Sequence, residues 1–363
     1  MLKKKILIFY NSIGLGHKSI AENIAFYLEQ GGFEVQLGDI LKVQESDLAR
    51  AGAKLYRFFL KFTPWVWRWL YTNKWFTKLT LPYRTKVAAK HSAGVLELLN
   101  KFNPDMVICT HTNASAILAY LKEQGKFNGK FGIAFSDFHL HRYWLYWQAD
   151  FYLANILEQK QEMVKFGIAE DKVFICGMTL KPKLAIDRRQ IKAKLGIKES
   201  ERVVLVASGS LGLGVDRDLV EQLSSLANVR TVVICGQNSK LYAQLSANLA
   251  GTHAIVMGYY APLEQLYAIA DLFISKPGGL SVAEALRWQL PILISHLLPG
   301  QEELNYNYLL DKGLVMPEPI SLIEEAREEI ETGSFRKNLE RNPALQELIR
   351  DPQVLIEAVK SVF

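Results

Sequence analysis

The densest set of groups able to grip an anion is Ser275-Lys276-Pro277-Gly278-Gly279-Leu280-Ser281, directly after the apolar run Leu272–Ile274. Gly278 and Gly279 clear space for a ligand, and Ser281 reads as the N-cap of a helix. The free N–H groups at such a helix start point at an incoming anion. Glu284 falls about one turn into that helix, where its carboxylate could accept hydrogen bonds from two neighbouring ribose hydroxyls. Downstream, Leu298-Pro299-Gly300-Gln301-Glu302-Glu303-Leu304-Asn305 clusters hydrogen-bonding groups suited to sugar hydroxyls. The plainer alternative for Gln301 and Glu302 is an ordinary helix start.

Two further glycine-rich turns have the same strand-turn-helix setting. Asn11-Ser12-Ile13-Gly14-Leu15-Gly16-His17-Lys18-Ser19 follows the first strand, and a neutral His17 imidazole there could take a proton from a hydroxyl group. Its alternative is a helix cap. The turn lacks the third glycine of a dinucleotide fingerprint, and no acidic residue clearly ends the second strand, so NAD is disfavoured. Ala207-Ser208-Gly209-Ser210-Leu211-Gly212-Leu213-Gly214 repeats the design, with amides and a Ser208 or Ser210 hydroxyl able to meet a phosphate. A tight turn with no ligand competes with that reading.

These turns need strands and helices behind them, and the sequence alternates the two. Ile6–Tyr10, Glu34–Leu37, Met106–Cys109, Gly132–Phe135, Phe151–Ala154 and Val173–Cys176 read as strands of a first series. Val203–Ala207, Thr231–Cys235, Ala254–Met257, Leu272–Ile274 and Ile292–Ser295 read as a second. Helical patterns between them imply parallel sheets covered on both faces, hence an α/β chain of two doubly wound domains. The expected division is 1–180, 181–335 and a helical tail 336–363 packing back on the first domain. Cys109, Cys176 and Cys235 each end an apolar run, which reads as buried strand cysteines rather than a disulfide framework or a zinc site.

The 363 residues are 49% hydrophobic and 22% charged, ordinary for a globular chain. No apolar run is long enough to span a bilayer, and the short basic-then-apolar start lacks a cleavage site, so the expectation is a cytoplasmic chain. The net charge of +6 is unevenly placed. Leu48–Leu96 has no Asp or Glu and ten Lys and Arg residues, which leaves the remainder at −4.

Lys276-Pro277-Gly278-Gly279-Leu280-Ser281 through Glu284, followed by Pro299-Gly300-Gln301-Glu302, resembles the donor signature of the monogalactosyldiacylglycerol synthase and processive diacylglycerol glucosyltransferase family. That family is related to the peptidoglycan lipid-intermediate N-acetylglucosaminyltransferase. Gly14-Leu15-Gly16-His17-Lys18-Ser19 is similar to its glycine-rich loop ending in histidine, although Ile13 and Leu15 interrupt a usually glycine-richer stretch. Ser136-Asp137-Phe138-His139-Leu140-His141-Arg142-Tyr143-Trp144 is similar to its Thr-Asp…His…Trp segment, with Ser136 for threonine.

The resemblance implies a GT-B fold, two Rossmann-like domains facing a central cleft. It also implies a UDP-sugar co-substrate, no cofactor or catalytic metal ion, and an inverting transfer to a lipid hydroxyl. By position, Glu284 binds the ribose, and Tyr259 and Tyr260 contact the uracil. The Ser210 turn, with Gly212, and the amides near Ser281 hold the diphosphate, and Lys276, Gly278, Gly279 and Leu280 belong to the same donor site. Gln301, Glu302 and Asn305 read the sugar. His17 is the general base, with Asp137 assisting or replacing it, and Gly16, His141 and Trp144 belong to the acceptor side.

The basic stretch supplies a surface for such an acceptor. Arg57, Lys61 and Arg68 interleave with Trp65, Trp67 and Trp69. Tryptophan prefers the membrane interface, and each basic residue near an anionic surface contributes about 1 kcal/mol. This predicts a peripheral enzyme on the inner face of the cell membrane, moving glucose or galactose to diacylglycerol or a similar lipid. Single-stranded nucleic acid is a competing partner for basic aromatic stretches, but no RNA-binding motif accompanies this one. The other alternative is that the aromatics are core and the lysines a solvated face. Two other readings stand beside it: N-acetylglucosamine transfer to a polyprenyl-linked acceptor, and a non-catalytic sugar-nucleotide-binding subunit.

Overall fold

A computed structural model describes residues 3–12, 15–44, 63–207, 209, 212 and 215–363. Four candidate residues, Arg57, Lys61, Ser208 and Ser210, lie outside the described residues. The chain forms two units. The first holds Met1–Lys181, Pro299–Gln301 and Glu347–Phe363; the second holds Pro182–Leu298 and Glu302–Gln346.

In the first unit, β1 (Lys5–Tyr10), β2 (Glu34–Asp39), β3 (Met106–Cys109), β4 (Lys130–Ala134), β5 (Phe151–Ala154) and β6 (Val173–Ile175) form a parallel sheet in the order β2-β1-β3-β4-β5-β6. The strands are continuous apolar runs because both faces are covered: Ile6, Leu7, Ile8 and Phe9 all have no exposed surface. Alternate residues Leu7, Phe9, Val107, Cys109, Phe131 and Ile133 share one core with Val95, Leu99, Ile117 and Leu121. The last four come from helices Ser92–Phe102 and Thr112–Glu123. Gly132 is required in that sheet, since a Cβ there would lie 2.1 Å from the Phe151 ring.

In the second unit, β7 (Arg202–Ala207), β8 (Val229–Ile234), β9 (Ala254–Met257), β10 (Leu272–Ser275) and β11 (Ile292–Ile294) run parallel in the order β11-β10-β7-β8-β9. The Cys109, Cys176 and Cys235 thiols are free and buried. Each sheet has one place where the strand order reverses, between β1 and β3 in the first and between β7 and β10 in the second. Open parallel sheets bind ligands at the carboxyl ends of the strands beside such a point.

Two expectations change. The second strand runs to Asp39, so an acidic residue does end it; that carboxylate is buried and accepts the Leu41 N–H at 3.1 Å. The argument against a dinucleotide fold then rests on the missing third glycine alone. The tail also divides later than position 336. Arg336 donates to the Asp271 carbonyl at 2.9 Å, and the Asn342 amide to the Lys312 carbonyl at 2.8 Å, which fix 336–346 to the second unit. Only from Glu347 does the chain rejoin the first unit, where Leu348 accepts the Met178 N–H at 2.8 Å.

Candidate active site

At the first unit's reversal point, the turns after β1 and β3 meet. Thr110 follows β3, and its hydroxyl donates to the carbonyls of Phe9 and His17, at 3.3 and 3.1 Å. His17 is the third residue of helix Leu15–Gln30. Its ring stands edge-on to that of His111, with centroids 4.8 Å apart and planes at 89°, and the Trp144 ring lies 6.4 Å away. The His17 Nδ1 atom is buried with no hydrogen-bond partner. Burial lowers the His17 pKa; the Asp137 charge and a hydrogen bond to the Thr110 backbone act in the opposite sense. His111 caps helix Thr112–Glu123, its Nδ1 accepting the Asn113 N–H at 3.2 Å, and burial beside His17 holds its pKa well down.

Asp137 is buried in the turn after β4. Its Oδ2 accepts from the Ser136 hydroxyl at 3.0 Å and from the Gln301 side-chain amide at 2.7 Å. The turn is clamped from β5 and the helix after it. Asn155 donates to the Asp137 carbonyl at 2.9 Å, and Gln159 donates to the carbonyls of Asp137 and His139 at 2.8 and 3.0 Å. The sequence reading missed this clamp, His111 and the Gln301–Asp137 hydrogen bond. A signal for His111 existed, because it follows β3 as His17 follows β1.

His141 and Trp144 are largely buried. The His141 Nε2 meets the Tyr71 carbonyl at 2.9 Å, the Tyr71 hydroxyl meets His139 Nε2 at 2.9 Å, and the Tyr71 ring lies 4.3 Å from that of His141. Tyr71 belongs to helix Pro64–Thr72, so the basic aromatic stretch is anchored on the Asp137 turn. Gly16 is exposed with open space around it. Trp65 and Trp69 point outward, whereas Trp67 is half-buried, its ring 5.9 Å from that of Tyr71 between centroids.

In the second unit the reversal point joins the turns after β7 and β10. Ser275 donates to the Ala207 carbonyl at 2.6 Å, and the Lys276 stem lies against Gly209, where a Cβ would sit 3.1 Å from it. Gly212 adopts φ +58°, and a Cβ there would lie 2.3 Å from the Cys235 carbonyl oxygen. Lys276 pairs with buried Glu302, whose other oxygen accepts the Leu298 N–H at 2.9 Å. Asn305 is buried and donates to the Pro277 carbonyl at 3.1 Å.

The helix begins earlier than read, at Gly279–Arg287, and its N-cap is Gly278. Ser281 is the third helical residue, and its hydroxyl donates back to the Gly278 carbonyl at 3.2 Å, so it is not the cap. Glycine at the cap leaves the first amides open to a ligand, with Leu280 half-buried among them. Glu284 sits behind, hydrogen-bonded to buried Tyr267, and burial pushes its pKa up to about 7 against the pull of Arg287. Tyr259 is exposed after β9, and the Tyr260 hydroxyl donates to Gln265 at 2.7 Å. Among the described residues no three His, Cys, Asp or Glu side chains gather as a metal site.

The monogalactosyldiacylglycerol (MGDG) synthase family model matches residues 17–180, and the model for glycosyl transferases group 1 matches residues 187–344. The chain is a glycosyltransferase. The first matched stretch falls within the first unit and the second mostly within the second, and each unit holds one of the two ligand-binding candidates. The chain is 26% identical over 367 residues to a processive diacylglycerol beta-glucosyltransferase of Bacillus pumilus, covering 98% of this chain and 94% of the relative. It is 26% identical over 318 residues to the Bacillus subtilis protein of the same name, covering 85% and 82%. Among solved structures, a Streptomyces glycosyltransferase, SsfS6, matches with TM-score 0.66 and 11% identity over 98% of this chain and 99% of that one. A UDP-GlcNAc 2-epimerase from Neisseria meningitidis matches with TM-score 0.61 and 14% identity over 98% and 100%. These likenesses give the GT-B fold.

Proposed function

We propose that the chain transfers a hexose from a UDP-sugar to the free hydroxyl of diacylglycerol at the inner surface of the cell membrane, with inversion and without a metal ion. The observation that carries the reading is His17 Nδ1, a buried, unpartnered imidazole nitrogen in the domain that matches the MGDG synthase model. Leaving a polar atom so placed costs about 1–3 kcal/mol, a cost that a proton-bearing acceptor group removes.

The acceptor hydroxyl loses its proton to His17 as its oxygen bonds to the anomeric carbon. The bond from that carbon to the diphosphate breaks, and UDP leaves with the negative charge. The open amides of helix Gly279–Arg287, with Lys276, stabilise this departing charge, the work a metal does elsewhere. Glu284 holds the ribose, and Asp137 keeps a negative charge near the imidazolium that forms.

The membrane-facing surface is the outer side of helices Pro64–Thr72 and Lys74–Lys90. Trp65 and Trp75 are 71% and 68% exposed, and Leu79, Tyr83 and Val87 continue the apolar stripe at four-residue spacing. Arg68, Lys78, Lys86 and Lys90 flank it, also exposed. Apolar side chains with basic neighbours fit an interfacial helix. No described helix is long and apolar enough to cross a membrane. The test is a screen of UDP-glucose, UDP-galactose and UDP-N-acetylglucosamine against diacylglycerol and polyprenyl-linked acceptors, with mass detection and with EDTA present. Hexosyl-diacylglycerol is expected. UDP binding with no transfer to any lipid would sink the enzymatic reading, and loss of activity in EDTA would sink its metal-free form.

A further inference from the structure

We propose that His111 binds the lipid acceptor, its Nε2–H donating to the carbonyl oxygen of the ester next to the reacting hydroxyl while His17 takes that hydroxyl's proton. This rests on the diacylglycerol reading above and adds to it a residue that selects for the ester linkage. Phe9 and Cys109 stand in register at the ends of β1 and β3, so the turns that follow the two strands are neighbours. His17 is the third residue of the helix after one, and His111 caps the helix after the other. Their rings meet edge to face, 4.8 Å between centroids.

The hydrogen bonding makes these two rings unlike. His111 Nδ1 accepts the Asn113 N–H at 3.2 Å, so that nitrogen carries no proton, and the neutral ring bears its hydrogen on Nε2. Protonating Nδ1 would set a second N–H against that of Asn113 and break the cap. Burial, and His17 beside it, act in the same sense by holding the His111 pKa well down. His111 is therefore a donor at Nε2 and not a base. Among the described residues nothing accepts from that N–H, just as nothing meets His17 Nδ1. The Trp144 ring, 5.3 Å from that of Phe135, lies 6.4 Å from His17. Against such an apolar wall a made hydrogen bond is stronger and an unmade one more costly.

A ligand that uses both nitrogens carries a hydroxyl and, a few ångströms away, an oxygen without hydrogen. A bond donated to the attacking oxygen itself would hold its electrons back from the anomeric carbon, so the donor serves better on a second oxygen. Diacylglycerol has this pair, because the carbon next to its free hydroxyl bears an ester carbonyl. The dialkyl ether analogue keeps the hydroxyl and lacks the carbonyl, which leaves the His111 N–H facing a methylene. A site built to bond a substrate group rejects the analogue that lacks it.

The test measures kcat/KM of the full-length protein on 1,2-dioleoylglycerol and on its 1,2-dioleyl ether, in mixed micelles of one detergent and with the donor found in the screen above. Wild type should prefer the ester about tenfold. His111→Asn keeps the cap, since Asn accepts well there, but its amide stops short of where Nε2 reaches. It should lower the ester rate about tenfold and leave the ether rate within about twofold, so that the preference disappears; thermal midpoints check that the cap holds. A residue that only shaped the turn would lower both rates alike and keep the preference, which would overturn the proposal. If the Asn variant does not fold, His111→Gln takes its place: its amide donor has the reach of Nε2, the ester preference should remain, and its loss in the folded variant would equally overturn the proposal. Transfer to neither lipid fails the diacylglycerol reading and the proposal with it, whereas equal transfer to both by wild type fails the proposal alone.

Discussion

A histidine that is to take a proton must be neutral beforehand, and in His17 burial outweighs the opposing pull of Asp137. Its pKa then lies below the ordinary imidazole value of about 6.5. The rate should be flat with pH near neutrality and fall as acid protonates Nδ1. Replacing Asp137 with Asn removes a charge that favours the imidazolium, so the acid limb of kcat/KM should move to lower pH, at a reduced plateau. A limb that stays put would remove the electrostatic link. His17→Ala should cost at least about a hundredfold in kcat, within the range of a lost general base, with UDP affinity nearly unchanged. Retained activity would mean that another group is the base. Glu284 is the reverse case, an acid whose folded pKa of about 7 stands above its unfolded one of 4.5. Its charge therefore destabilises the fold progressively as pH rises between those values. Glu284→Gln should raise the thermal midpoint at pH 8 and leave it unchanged near pH 4, while weakening UDP binding. No pH dependence of the midpoint difference would show that burial does not strain this carboxylate. Such a trade of stability for a ligand contact is what the proposed ribose-binding role entails.

At the scale of elements, the turns were legible because their cause is local. A glycine-rich run after an apolar strand and before a helix has few ways to fold, and those after β1 and β10 open on the expected helices. What lay beyond the sequence were contacts fixed by strand order: His111 beside His17, Gly209 beside Lys276, Gln301 on Asp137. None has a spacing in the sequence, since β1 neighbours β3 and β7 neighbours β10 only once the sheets form. The Ser281 cap failed for a related reason, because glycine caps well and the helix took the earlier start. Tryptophan spacing likewise could not tell outward Trp65 and Trp69 from inward Trp67 before their helix was set against Tyr71 and the Asp137 turn. The turn after β7 gives a direct test. Gly212→Ala puts a Cβ against the Cys235 carbonyl at a positive φ, which should cost about 1–3 kcal/mol and lower UDP affinity. A midpoint and affinity equal to wild type would show that this turn adapts freely. On the helix Lys74–Lys90, Trp75→Ser with Tyr83→Ser should reduce vesicle sedimentation without moving the thermal midpoint, since both side chains are exposed. Unchanged sedimentation would detach this face from the membrane.

For the whole molecule, the proposed base lies in the first unit and the proposed diphosphate and ribose groups in the second, so stability and nucleotide binding should come apart under mutation. The carboxyl-terminal segment makes this testable. Helix Gln353–Val362 packs on helix Leu15–Gln30, which carries His17. Ile356 comes within 3.0 Å of where a Gly31 Cβ would stand, and Phe363 stacks on Phe33 with centroids 5.5 Å apart. Leu355 and Val359 are almost wholly buried. Leu355→Ala should cost about 2–5 kcal/mol, a large part of the 5–15 kcal/mol that usually holds a domain. That loss falls on the unit that holds His17. The expected result is a lower thermal midpoint and reduced turnover, with UDP affinity within about twofold of wild type, since a factor of two is only about 0.4 kcal/mol. Calorimetry and UDP titration on the same sample decide it. UDP affinity falling in step with stability would mean that the two units do not hold their tasks separately, and that the nucleotide half depends on the segment that the chain returns to the other unit.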